Sequence, residues 1–212
     1  MSHTDFWIIR HGETDWNAER RLQGWRDIPL NANGIAQAEA LNAHLQARFS
    51  DAGPAHIYTS DLQRAYHTAL PYARSCDKPV QRLPGLRERN YGVLEGQLWS
   101  ALAGFDSAHS HNLAIELDPN EHKAEDLATF YARIRQTLNT LAQKHRNETV
   151  MIVSHGGAID MMWRAAGNLA PNAPRQFTQR NTSINCLRIV SDDSWQIVSW
   201  ADTSHLPQVV TG

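Results

Sequence analysis

The chain has 212 residues, 42% apolar and 20% charged, the proportions of a globular protein with one sizeable core. Twenty Lys and Arg against 22 Asp and Glu leave a formal charge of -2. That balance argues against nucleic acid or an anionic membrane as the main partner, while leaving room for a small basic pocket. Two cysteines, Cys76 and Cys186, are too few for a disulfide framework or a four-thiolate metal site. No apolar run approaches the roughly 20 residues needed to span a bilayer. The apolar run Phe6–Ile9 is too short for the core of a signal peptide. A reduced, cytoplasmic protein is the expectation.

In chain order, Phe6–Ile9 is a continuous apolar run ending in Arg10-His11, the pattern of a strand buried on both faces. Asn33-Gly34 then precedes a helical pattern with Ile35, Ala38, Leu41 and Leu45 on one face. His56–Thr59 reads as a second strand, with Ser60-Asp61 as the N-cap signal of a helix reaching about Ala73. The stretch from Gln97 to Lys123 lacks periodicity and reads as an insertion or lid over the site. Its apolar residues (Leu98, Trp99, Leu102, Phe105, Leu113, Ile115 and Leu117) are expected to pack on the core. Glu125–His145 carries Leu127, Tyr131, Ile134, Leu138 and Leu141 at helical spacing. Thr149–Ser154 is a second fully buried strand, followed by Gly156-Gly157 and a helix to about Ala166. Ile184–Val190 and Trp195–Trp200 alternate on either side of a polar turn and predict a terminal hairpin. Strands alternating with helices imply an α/β sandwich, its sheet mostly parallel with an antiparallel edge from that hairpin. No repeat or linker divides the chain, so residues 1–212 are read as a single domain.

Open parallel sheets bind ligands beyond the carboxyl ends of their strands. After the first predicted strand come Arg10 and His11; after the second, Ser60, Asp61 and Arg64; after the third, His155, Gly156 and Gly157. Two guanidiniums side by side repel unless an anion lies between them, and their forks match phosphate oxygens. Glycines let the backbone approach a ligand closely. These groups predict a phosphate pocket.

Several blocks together carry a resemblance. Arg10-His11-Gly12-Glu13-Thr14, Trp16-Asn17, Arg21-Leu22-Gln23-Gly24 and Asp27-Ile28-Pro29-Leu30 are followed by Asn33-Gly34 and Gln37-Ala38. Ser60-Asp61-Leu62-Gln63-Arg64-Ala65, Thr68-Ala69, Leu86-Arg87-Glu88, Gly92, Leu94-Glu95-Gly96 and Ser154-His155-Gly156-Gly157 continue the series. Together they resemble the histidine phosphatase superfamily, its phosphoglycerate-mutase-like branch 1, along nearly the whole chain. The resemblance implies a three-layer α/β/α sandwich and a metal-independent phosphoric monoester hydrolase without cofactor. His11 is then the nucleophile that becomes phosphorylated, and Arg10, Arg64 and His155 stabilise the transferring group. Glu88 is the proton donor, with Glu13 and Glu95 as rival carboxylates. Asn17, Gln23, Gly24, Tyr91 and Gly156 are expected to line the substrate, although Asn17 alone reads as a turn residue and Tyr91 equally as a packed aromatic.

The implied partner is a small phosphorylated metabolite, and either a monomer or a homodimer is compatible with the pattern. Between Arg89 and Arg133 the only Lys or Arg is Lys123, little charge for the second anion that a mutase must hold. His109, His111 and His122 add only weakly. The ending Trp200-Ala201-Asp202, Ser204-His205-Leu206 also resembles phosphatase members, so a phosphatase is expected over a mutase or a non-catalytic phosphate binder. Cys76 to Arg82 has the C-x5-R spacing of cysteine-dependent phosphatases, but Pro79 lacks an N–H and no glycine is present. His109 and His111, with Asp106 and His122 nearby, read as solvated histidines rather than a metal site. Neither G-x-S-x-G nor a GxxxxGK loop occurs.

Overall fold

A computed structural model describes residues 2–49, 53–102 and 117–207. Strand β1 (Thr4–Arg10) leads through the short helix α1 (Asp15–Ala18) to α2 (Ala32–Arg48), then β2 (His56–Thr59), α3 (Gln63–Ser75) and β3 (Val80–Arg82). Helices α4 (Pro119–His122) and α5 (Leu127–Lys144) precede β4 (Thr149–Ser154) and α6 (Gly156–Ala166); β5 (Ile184–Ser191) and β6 (Ser194–Asp202) finish the chain. One six-stranded sheet has the order β3-β2-β4-β1-β5-β6. The first four of these run parallel, while β5 is antiparallel to β1 and β6 to β5.

The continuous apolar runs form strands because both faces of the sheet are covered. Val150 and Ile152 of β4 pack with Phe6, Ile8 and α5 and α6 on one side. Met151 and Val153 pack with Ile9, Ile57 and α2 and α3 on the other. The result is the expected three-layer α/β/α sandwich. Its core is tight enough that Ile152→Ala is expected to lower unfolding free energy by about 2–5 kcal/mol, read from the urea midpoint at unchanged slope.

Several local expectations need correction. Helix α2 starts earlier than Asn33-Gly34: the Asn31 side chain accepts from Gly34 N at 2.8 Å, so both residues lie within the first turn. Ile35 is 56% exposed there, and only Ala38, Leu41 and Leu45 of the predicted face are buried. Gly34 serves close packing instead, since a Cβ would stand 2.1 Å from the Glu13 carbonyl oxygen. Ser60-Asp61 does not cap α3, whose N-cap Leu62 has no side-chain cap. The Asp61 carboxylate takes the Arg87 guanidinium in a bidentate pair, which outcompetes a helix amide for a charged acceptor. Helix α5 starts later than Glu125, capped by Asp126 through Thr129 N at 2.8 Å.

Within the insertion, Trp99–Ala101 forms a 3-10 turn and Asp118 caps α4, which contains His122. Trp99 packs edge-on against Tyr91 with ring centroids 5.9 Å apart, whereas Leu98 is exposed. Phe105, Asp106, His109, His111, Leu113 and Ile115 lie outside the described residues. Strand β3, unpredicted, falls inside the C-x5-R segment and places exposed Arg82 over the Tyr66 ring, 3.5 Å from its centroid. Among the described residues no helix is long and apolar enough to cross a membrane.

Candidate active site

Parallel pairing sets Arg10 opposite Ser154, so the residues just past each of these strands meet at the same sheet edge. The ladder continues one step, His11 N donating to Ser154 O at 2.9 Å. The His11 and His155 rings stand 5.1 Å apart, 3% and 0% exposed. The loop after β1 is held from behind. Gly12 N donates to Thr68 Oγ1 at 2.9 Å, and Thr68 Oγ1 donates to Arg64 O at 2.7 Å, tying the loop to α3. A Cβ on Gly12 would stand 2.7 Å from Gly34 O, so the loop and the start of α2 interlock through two glycines.

His11 Nδ1 lies 2.7 Å from its neighbour's carbonyl, Gly12 O. A carbonyl only accepts, so Nδ1 carries the ring proton and Nε2 presents a lone pair. Burial, then the charges of Arg64 and Arg10, holds the His11 pKa well below the usual histidine value. The ring is therefore neutral at physiological pH. Burial likewise keeps His155 neutral, helped by Arg64 and His11, and neither of its ring nitrogens has a hydrogen-bond partner among the described residues.

Arg64 is fully buried in the first turn of α3. Its Nη1 donates to Arg26 O at 2.7 Å and Nη2 to Gly24 O at 2.8 Å, while Nε has no partner among the described residues. Gly24 adopts φ +52°, and a Cβ there would stand 2.1 Å from Glu95 Oε1. Arg10 donates through Nη1 to Gln179 O and also keeps an unpartnered Nε. Burial lowers both guanidiniums to about 10, which leaves them charged at neutral pH. Buried Arg64 and half-buried Arg10, each with an unpartnered donor among the described residues, beside two neutral imidazoles are costly without an anion.

Glu88 faces this group from the segment after β3. Its Oε1 accepts from Arg89 N at 2.9 Å and its Oε2 from Gly157 N at 2.8 Å, joining it to the start of α6. Gly157 has no side chain to spare: a Cβ would lie 2.3 Å from Glu88 Oε1. Burial raises the Glu88 pKa, Asp160 adds to the rise, and the two amides and Arg64 oppose it. The segment is anchored by Ser154 Oγ to Leu86 O at 2.8 Å and by Arg133 Nη2 to Glu88 O at 3.1 Å. Glu95 is occupied elsewhere, accepting from Trp25 N at 2.8 Å, and Glu13 accepts from Asn31 Nδ2 at 3.0 Å.

The expected rim is mixed. Asn17 uses its carbonyl oxygen in a capping box with Thr14. Gln23 is buried, its Oε1 without a partner among the described residues. Tyr91 is buried, with burial and the charge of Glu88 raising its phenol pKa. Gly156 lies close to Arg10 Nε, and a Cβ there would be in ordinary contact with it.

Sequence reasoning missed the segment before β5. Gln179 is 5% exposed with both amide atoms unpartnered among the described residues, its Oε1 being 3.6 Å from a Cβ position on Gly156. Arg175 pairs with buried Asp160 and lowers the pKa of Arg10 by its charge. Asn181 Nδ2 donates to His11 O at 2.9 Å. Because β5 runs antiparallel to β1, its beginning lies beside the end of β1, with Ile184 opposite Ile9. A rule that inspects only the residues after each strand therefore skips it.

Comparison with known proteins agrees with this geometry. The model of the histidine phosphatase superfamily (branch 1) matches residues 6–203. Phosphoglycerate mutase-like protein 4 of Arabidopsis thaliana is 32% identical across 98% of this chain and 89% of its own length. A metal-independent phosphoserine phosphatase of the same plant is 34% identical across 97% and 84%. The crystal structure of phosphoserine phosphatase from Entamoeba histolytica in complex with 3-phosphoglyceric acid superposes with TM-score 0.79. The two chains are 30% identical, covering 96% of this chain and all of that one. A match over nearly the full length, on a sheet edge that gathers Arg10, His11, Arg64 and His155, means that this chain belongs to the histidine phosphatase superfamily, branch 1.

Proposed function

We propose that the chain hydrolyses small phosphomonoesters through a phosphohistidine at His11. The observation that carries this reading is the locked ring: Nδ1 bound to Gly12 O, Nε2 free of a proton, and cations with unused donors around it. In the first step Nε2 attacks phosphorus, the P–N bond forms as the P–O bond to the alcohol breaks, and Glu88 gives its proton to the departing oxygen. The ring becomes cationic, and Nδ1–H donating to Gly12 O supports that charge. In the second step Glu88, now a carboxylate, takes a proton from water as the water oxygen attacks phosphorus and P–N breaks. Arg10 and Arg64 supply positive charge where negative charge develops on the equatorial oxygens, and neutral His155 donates a ring N–H to them.

Asn17, Gln23, Tyr91 and Gly156 are assigned to the substrate rim, and Gly24 to orienting Arg64 through its carbonyl. The Gln179 side-chain amide, unpartnered among the described residues, and the nearby Arg175 guanidinium, paired with Asp160, favour a substrate with a second polar or anionic group. The chain is read as one domain spanning 1–212; residues 103–116 of the insertion expected to form a lid lie outside the described residues, and the two free thiols fit a cytoplasmic setting.

Arg64→Ala is expected to lower kcat by about 10²–10³-fold, the loss typical of one preorganised anion donor. Arg64→Lys keeps the charge without the fork and should fall between. Steady-state assays checked against the melting temperature separate this from unfolding. Wild-type rates in Arg64→Ala would place that residue outside the pocket.

Arg175, which acts on Arg10 although paired with Asp160, also favours a second reading, a mutase, since the insertion offers only Lys123. Net phosphate release and 2-/3-phosphoglycerate interconversion, followed in one reaction, separate the two. Release across a panel of phosphomonoesters is expected; interconversion without release would make the protein a mutase.

A further inference from the structure

At the sheet edge remote from the phosphate pocket, His56 opens β2, His145 caps the end of α5, and Glu148 directly precedes β4. The six residues of β4, rising about 3.3 Å each, put roughly 20 Å between this edge and His155. One ligand atom from each of the three side chains lies within 4.8 Å of the other two. Glu148 Oε2 is 3.1 Å from His56 Nε2 and 2.9 Å from His145 Nδ1, and the two rings are 4.0 Å apart between centroids.

We propose that His56, His145 and Glu148 bind one divalent transition-metal ion of the zinc type. Tetrahedral Zn²⁺, with bonds of about 2.0–2.2 Å to nitrogen and oxygen, spaces its ligand atoms roughly 3.3 Å apart. The two nitrogen–oxygen distances here need to open by only about 0.2–0.4 Å to reach that spacing. Metal-bound imidazoles are usually oriented by a hydrogen bond to their other nitrogen. Here His145 Nε2 lies 2.8 Å from buried Tyr58 Oη, which also accepts from Lys144 Nζ at 3.1 Å. Without metal, Nδ1–H donates to the Glu148 carboxylate and Nε2 accepts from the Tyr58 hydroxyl; with metal on Nδ1 the proton sits on Nε2, and the phenol oxygen, with two lone pairs, can turn to accept it. The His56 and Glu148 side chains are 34% and 42% exposed, so water reaches the fourth position. Bound metal would join β2 to the turn between α5 and β4.

The intact protein, stripped with EDTA and returned to chelator-free buffer, is titrated with ZnCl₂ by calorimetry and melted with and without the ion. One equivalent is expected to bind wild type and His11→Ala alike, with a zinc-dependent rise in Tm. His56→Ala and Glu148→Gln should each weaken binding by about 100-fold or more, since even outer-shell losses cost 10–100-fold. Both should lose the Tm rise while hydrolysing para-nitrophenyl phosphate at the wild-type rate without zinc. Unchanged isotherms in His56→Ala and Glu148→Gln, binding that disappears with His11→Ala, or no binding to wild type would overturn the proposal.

Discussion

His11→Ala is expected to reduce turnover by a factor on the order of 10⁴ or more, the scale on which losing a covalent nucleophile is felt. The substitution removes the imidazole whose lone pair is held beside the Arg10 and Arg64 guanidiniums. It leaves Arg10 and Arg64 in place, so phosphate should still bind and inhibit with little change. Fold should also survive, because the ring's hydrogen bond is to its neighbour's carbonyl and to no other element among the described residues. Steady-state kinetics with para-nitrophenyl phosphate, alongside inhibition by inorganic phosphate, give both readings from one preparation. Hydrolysis at the wild-type rate would remove the assigned role of this residue.

Glu88→Gln should separate substrates by leaving group. Alkyl phosphates, whose alkoxide needs a proton, should lose about 10²–10⁴-fold, whereas activated aryl phosphates should lose far less. Equal losses would assign the proton to another acid. The same variant tests the pH profile. The His11 pKa is depressed, so the neutral nucleophile is present above it and lost as pH falls through it. The Glu88 pKa is raised, so the proton donor is present below it and lost as pH rises through it. Wild-type kcat/KM on an alkyl phosphate should therefore be bell-shaped, His11 setting the acid limb and Glu88 the alkaline one. In Glu88→Gln the alkaline limb should vanish, since an amide has no proton to lose.

Burial decides how much of the fold is legible in the amino-acid order. Strands β1 and β4 declare themselves because a sheet covered on both faces selects unbroken apolar runs, and the groups just past them share one edge. Strand β3 gives no such signal: three residues at the sheet margin bury too little to leave a pattern. The start of α3 is misread because Asp61 has two possible partners, a helix amide and Arg87, and only tertiary structure decides between them. Exposed Ile35 misleads for the opposite reason, an apolar side chain whose period matches the buried face but whose helix turn leaves it in solvent. Arg175, Gln179 and Asn181 escape notice because antiparallel β5 delivers the residues before it, rather than after it, to the site. Arg175 matters most among them: although paired with Asp160, its guanidinium stands close enough to lower the pKa of Arg10, which a count of cations along the insertion does not reveal.

The decisive measurement is acid-free rapid quench of the protein with a slow phosphomonoester, followed by intact and peptide mass spectrometry. A single phosphoryl group on His11, labile to acid and formed no more slowly than turnover, is the predicted result. Steady turnover with residue 11 never modified, or label retained in His11→Ala, would contradict it.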